Sequence, residues 1–105
     1  MLDISGTNFS GEGLSAIKEE LTNLQDTDCG ECDNLTDTGL KQFLRLTKNS
    51  LKKLMIGSIH LTGEGLVGFN VSLPKLQSLY MDRCPNVTDG GKIEFLRIFR
   101  DKIRF

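Results

Sequence analysis

Leu76-Gln77-Ser78-Leu79-Tyr80-Met81-Asp82-Arg83-Cys84-Pro85-Asn86-Val87-Thr88-Asp89-Gly90-Gly91 is the stretch on which the reading of this chain turns. Leu76, Leu79 and Met81 end in period-2 alternation, which puts the last two on one face of a short strand. Cys84 is then placed to turn the chain back into a core. The run from Asn86 to Gly91 carries residues suited to a turn and a helix start, with Asp89 where a negative charge would meet a helix N-terminus.

The same arrangement recurs upstream. Leu51, Leu54, Ile56 and Ile59 lead through Leu61 to Thr62-Gly63-Glu64-Gly65-Leu66. Leu24, Thr27, Cys29 and Cys32 lead through Leu35 to Thr36-Asp37-Thr38-Gly39-Leu40. Leu2 and Ile4 lead through Phe9 to Ser10-Gly11-Glu12-Gly13-Leu14. The equivalent positions Ile4, Cys29, Ile56 and Met81 lie 25, 27 and 25 residues apart, and alternate units match best, at a period of 52. Four matches in register make the chain a repeat array. Apolar residues after each turn recur at helical spacing: Leu14, Ile17 and Leu21; Leu40, Phe43 and Leu44; Leu66 and Phe69. Each strand–helix unit has one apolar face, and stacking closes a continuous core. Lys92–Phe105, with Ile93, Leu96, Phe99 and Ile103 near helical spacing, reads as the last unit's helix and as a cap.

The pattern resembles the leucine-rich-repeat family in its cysteine-containing subtype, Leu-x-x-Leu-x-Leu-x-x-Cys-x-x-Ile-Thr-Asp-x-Gly-Leu. Leu24 to Leu40 fits with Thr27 and Cys29 in two leucine slots, and Leu76 to Gly91 fits closely, with Lys92 in place of the final leucine. The resemblance covers nearly the whole chain. It implies an α/β solenoid of about four strand–helix repeats (about 1–23, 24–50, 51–75 and 76–105) in a single domain, with a parallel sheet on its concave face. The subtype is familiar from the substrate-binding halves of F-box ubiquitin-ligase adaptors, and related repeats occur in nucleotide-binding innate immune receptors and small mitochondrial assembly factors. The first unit begins at its strand. The expectation is therefore a fragment of a longer chain or a short uncapped solenoid, since an open end exposes core leucines.

Composition narrows the function classes. The 105 residues suit one small domain, and 13 basic against 14 acidic side chains give a net charge of −1, with no general pull toward nucleic acid or anionic membranes. No apolar run approaches a membrane span, and Met1-Leu2-Asp3-Ile4-Ser5-Gly6 lacks the regions of a signal peptide. Three cysteines argue for a reduced compartment. The expected setting is cytoplasmic or otherwise intracellular, with an extracellular one as the alternative. The expected partner is another protein, with no cofactor, metal, nucleic acid, membrane or small-molecule substrate.

Several motifs have competing readings. Cys29-Gly30-Glu31-Cys32 has redox or zinc spacing, but repeat register makes Cys29 a strand core residue and Cys32 the loop counterpart of Cys84. Buried, inert thiols are the expectation, and a Cys29/Cys32 redox enzyme the remote alternative. Asn8, Asn34, Asn70 and Asn86 head Asn-x-Ser/Thr sequons, which the repeat itself generates. Gly11-Glu12-Gly13 and Gly63-Glu64-Gly65 lack the Lys-Ser/Thr of a phosphate loop and read as repeat turns. His60, the only histidine, is expected to point outward from a loop, with no nucleophile assignable to it. The basic residues near the C-terminus read as a solvated helix face.

A binding surface is expected between the inward leucines. Asp3, Asp28, Met55 and Tyr80 share one slot; Asp26, Lys53 and Ser78 share the slot before the second leucine; Ser5, Gly30, Gly57 and Asp82 share the next outward slot. Met55 and Tyr80 are the expected anchors, with Asp28, Lys53 and Asp82 as polar rim, because exposed Met and Tyr side by side suit contact surfaces. The alternative is that both are scattered surface apolars, common on any soluble domain. A ligand-sensing segment of an immune receptor, cytosolic or glycosylated, is the other reading of such a face.

Overall fold

A computed structural model describes residues 1–104 of the chain. It is an α/β structure with one five-stranded parallel sheet in sequence order and two α-helices. The strands are β1 (Leu2–Asp3), β2 (Asp26–Cys29), β3 (Lys53–Ile56), β4 (Ser78–Met81) and β5 (Ile103–Arg104). The helices are α1 (Asp37–Thr47) and α2 (Asp89–Phe99). Short 3-10 turns at Glu12–Ala16 and Glu64–Leu66 stand where the first and third units have no α-helix.

Strand register follows the repeat. Leu2 pairs Thr27, Thr27 pairs Leu54, and Leu54 pairs Leu79. Alternation then decides the faces: Leu54, Ile56, Leu79 and Met81 are buried, while Lys53, Met55 and Tyr80 are exposed. The buried set joins Leu40, Phe43 and Leu44 of α1 and Phe95 and Phe99 of α2 in a single core. Burying each large apolar side chain contributes roughly 1.5–3 kcal/mol.

Both helices start in the same way. Thr36 and Thr88 are extended N-caps whose hydroxyls accept from the N–H of Gly39 and Gly91, each at 3.0 Å. Those glycines allow a backbone contact that nothing larger permits. A Cβ on Gly39 would lie 1.7 Å from the Ser10 carbonyl oxygen, and one on Gly91 would lie 1.8 Å from that of Thr62. Units one and two, and units three and four, are joined by this close approach. Units two and three are joined differently, through the Asp37 carboxylate, which accepts from the N–H groups of Thr62, Gly63 and Gly65 and from the Thr62 hydroxyl at 2.7–3.0 Å.

Five expectations are corrected. Four strand–helix units reduce to two helical units and two turn units. Leu14, Ile17 and Leu21 do not share a helix: the 3-10 turn ends at Ala16, Ile17 is extended, and Leu21 donates its N–H to the Leu46 carbonyl at 2.8 Å. After Leu66, Gly68 at φ 77° ends any helical continuation toward Phe69. The C-terminal stretch is not one helix either. It breaks at Arg100 (φ 52°), turns through Arg100–Lys102, and places Ile103 in β5 beside Leu79; Phe105 lies outside the described residues. Finally, Ile59 does not turn into the core but is 45% exposed. Ser58 is buried there instead, its hydroxyl donating to the Leu35 carbonyl at 2.7 Å.

Candidate interaction face

One face of the sheet carries the core, and the other carries the expected row. Asp3 pairs Asp28, Asp28 pairs Met55, and Met55 pairs Tyr80. Neighbours in such a ladder stand ~4.8 Å apart. Tyr80 in turn pairs Arg104, a residue that sequence reading assigned to a helix and left out of the row. The only signal for it was the spacing of Ile103, 24 residues beyond Leu79, against units of 25 and 27. The completed row runs Asp3, Asp28, Met55, Tyr80, Arg104: acidic at one end, apolar in the middle, basic at the other.

The acidic end is held in place by local hydrogen bonds. Asp28 Oδ1 accepts from the Gly30 N–H at 2.8 Å, and Asp3 Oδ1 accepts from the Ser5 N–H at 3.0 Å and its hydroxyl at 2.6 Å. The Ser5 hydroxyl, and then its N–H, hold the Asp3 carboxyl below its ordinary value. At the centre, Met55 is 38% and Tyr80 46% exposed. The flanking row of Asp26, Lys53 and Ser78 is in register alongside. On the other side Asp82 is exposed, and its N–H donates to the Ile56 carbonyl at 2.8 Å.

In the slot of Asp82, Gly30 and Gly57 leave backbone where Ser5 and Asp82 have side chains. At Gly57 that is obligatory, because a Cβ would lie 2.5 Å from the Asp82 carbonyl oxygen. Arg83 Nη1 meets Glu31 Oε1 at 3.3 Å, a pair that joins the fourth unit to the second across the third. Glu31 (φ 57°) and Arg83 (φ 55°) share a left-handed backbone, 52 residues apart. Neither the Glu31–Arg83 pair nor the Ser58 tuck had a visible signal in the sequence.

The thiols lie on the core side. Cys29 is buried, and burial first, then the nearby Cys32 and Asp28, push its thiol up to about 12. Cys32 is buried too and donates to the Ile4 carbonyl at 3.0 Å. Cys84 is partly buried, and burial raises its thiol. His60 is exposed, as expected. Among the described residues, no three His, Cys, Asp or Glu side chains converge as metal ligands, and no helix is long and apolar enough to cross a membrane.

Away from this face, a concavity of about 690 Å³ lies between the 70–74 loop and the end of α2, with Leu73, Leu76 and Phe99 in its lining. Its Arg97 is a strut: it bonds Glu94 at 2.8 Å, the Asn70 side chain at 3.0 Å and the Leu66 carbonyl at 2.9 Å. Not all the basic residues near the C-terminus are therefore merely solvated.

Fold and face together define an α/β protein with a parallel sheet open on one side. Comparison with protein-family models, curated proteins and solved structures returns no match for this chain.

Proposed function

We propose that this chain is a leucine-rich-repeat module that binds another protein through the open face of its sheet, without catalysing a reaction. The kind of role is that of a substrate-recognition part of a ubiquitin-ligase adaptor or of an assembly factor. The observation that carries the reading is the in-register row from Asp3 to Arg104, with Met55 and Tyr80 exposed between opposite charges. Such a row offers an apolar anchor pair and charges of both signs to orient a partner. A thiolate-based chemistry draws no support from Cys29, whose burial and high pKa keep it protonated near neutral pH.

The test is affinity capture from cell lysate with wild type and a Met55→Asp/Tyr80→Ala variant shown to be folded by circular dichroism. The expected outcome is a protein retained by wild type and lost by the variant. Its purified form should then bind wild type directly, with at least tenfold weaker binding to the variant. Equal capture by both proteins would place binding elsewhere and remove the open face from the account.

A further inference from the structure

The two ends of the molecule carry the halves of an interface that the molecule already makes in its middle. Where unit three seats on unit two, Leu44 of α1 is fully buried and Asp37 caps the turn Thr62–Gly65. A shift of 52 residues gives Leu96 and Asp89 on α2, where Leu96 is 48% exposed and Asp89 is exposed. The same shift turns Thr62, Gly63, Gly65 and Leu66 into Ser10, Gly11, Gly13 and Leu14 at the opposite end. The two turns share their geometry: Gly11 sits at φ 80° and Gly63 at φ 84°, and Ser10 and Thr62 hydroxyls each accept from the N–H two residues on. The core side matches as well, since Leu2 and Ile4 are counterparts of the buried Leu54 and Ile56.

We propose that the outer side of α2 is a docking surface for the 10–14 turn of a second copy of this chain, and that β5 occupies the β4 edge which the strand of that copy needs. A second copy is the occupant because the complementary half lies on the chain's own first unit. In the contact, Asp89 would accept from the N–H groups of Ser10, Gly11 and Gly13 and the Ser10 hydroxyl of the second copy, as Asp37 does internally. The strand of that copy, Leu2–Asp3, needs the edge of β4, and Ile103 and Arg104 stand there now, paired with Leu79 and Tyr80. β5 is two residues long, so few ladder bonds hold it. The docked arrangement is head to tail and does not close on itself, so it extends beyond a dimer. Lys92, at the place of the buried Leu40, makes it weaker than the internal contact.

The experiment is sedimentation velocity over a range of protein concentrations on the full chain, Ile103→Asp, Arg104→Pro, and each of those variants combined with Asp89→Lys. Arg104→Pro weakens strand pairing without placing a charge in the core. Circular dichroism establishes which variants are folded. The full chain is expected to sediment mainly as a monomer. The uncapped variants are expected to show a mass that rises with concentration through dimer to longer species, and Asp89→Lys is expected to return them to the monomer mass. A folded uncapped variant that stays monomeric throughout overturns the proposal. So does association that Asp89→Lys leaves unchanged, because it would not use the templated contact. Unfolding of both uncapped variants also overturns it, by showing that the fold cannot stand without β5.

Discussion

The helices α1 and α2 have the same length, the same threonine cap and the same glycine at their third position, yet they are buried differently. Along the inner side they agree: Gly39 and Gly91, Phe43 and Phe95, and Thr47 and Phe99 are all buried. Along the outer side they part. Leu40, Leu44 and Leu46 of α1 are buried, whereas their counterparts Lys92 and Leu96 are exposed and Ile98 is half-buried. α1 packs between the 3-10 turns of units one and three, while α2 packs against the turn of unit three, the Arg100–Lys102 turn and β5. Burial in this molecule is thus conferred by the neighbouring unit, as expected where each unit packs against those beside it.

The contacts shared by both helices should be the costliest to break. Gly39→Ala puts a methyl 1.7 Å from a backbone oxygen, which no side-chain motion relieves. The expected loss is at least ~3 kcal/mol in denaturant unfolding, since overpacking against backbone forces the units apart. Gly91→Ala should cost a similar amount, its methyl lying 1.8 Å from the Thr62 oxygen. A large difference between the two would mean that the pairs of units are not equivalent.

Asp37 and Asp89 sharpen the comparison at smaller scale. Burial, the largest single influence, raises the Asp37 carboxyl, but the hydrogen bonds from the Thr62 hydroxyl and the Gly63, Gly65 and Thr62 N–H groups together outweigh it and leave it below its ordinary 3.8. A carboxyl depressed in the folded state stabilises that state above its unfolded value. The contribution is lost as pH falls through the lower folded value. Wild type should therefore lose stability in acid below about pH 4 more steeply than Asp37→Asn, measured by thermal midpoint against pH. At neutral pH Asp37→Ala is expected to cost about 1–3 kcal/mol and Asp89→Ala less than about 1 kcal/mol.

Thr27 gives the smallest and opposite effect. It occupies a leucine slot in β2, is buried, and among the described residues its hydroxyl has no hydrogen-bond partner. Thr27→Val keeps the shape and removes the orphan, so stability should rise by about 1 kcal/mol. A fall would show that the hydroxyl is satisfied in solution.

The strand register was legible in the sequence because period-2 alternation and a unit length near 25 residues both constrain it. Asp3, Asp28, Met55 and Tyr80 consequently fell into one row, with Asp26, Lys53 and Ser78 beside it. The helices were less legible. Leu14, Ile17 and Leu21 have helical spacing, but Leu21 is taken by the Leu46 carbonyl of the next unit, a tertiary contact that local pattern does not announce. The apolar character of Ile59 points inward, but the Leu35 carbonyl beside it is buried and takes the hydroxyl of Ser58 instead. Arg104 was missed because Ile93, Leu96, Phe99 and Ile103 continue a helical spacing through Arg100, whose positive φ breaks it. The Asp37 cap is half legible: the sequence places an acidic residue at a helix start, but its bonds reach across to the next unit's turn.

The most direct test is denaturant unfolding of Leu44→Ala and Leu96→Ala side by side. The two leucines are 52 residues apart in matching helices and differ in whether a further unit covers them. Leu44→Ala is expected to cost ~2–5 kcal/mol and Leu96→Ala less than about 1 kcal/mol. Equal losses would contradict the account, because burial would then not depend on the stacked neighbour.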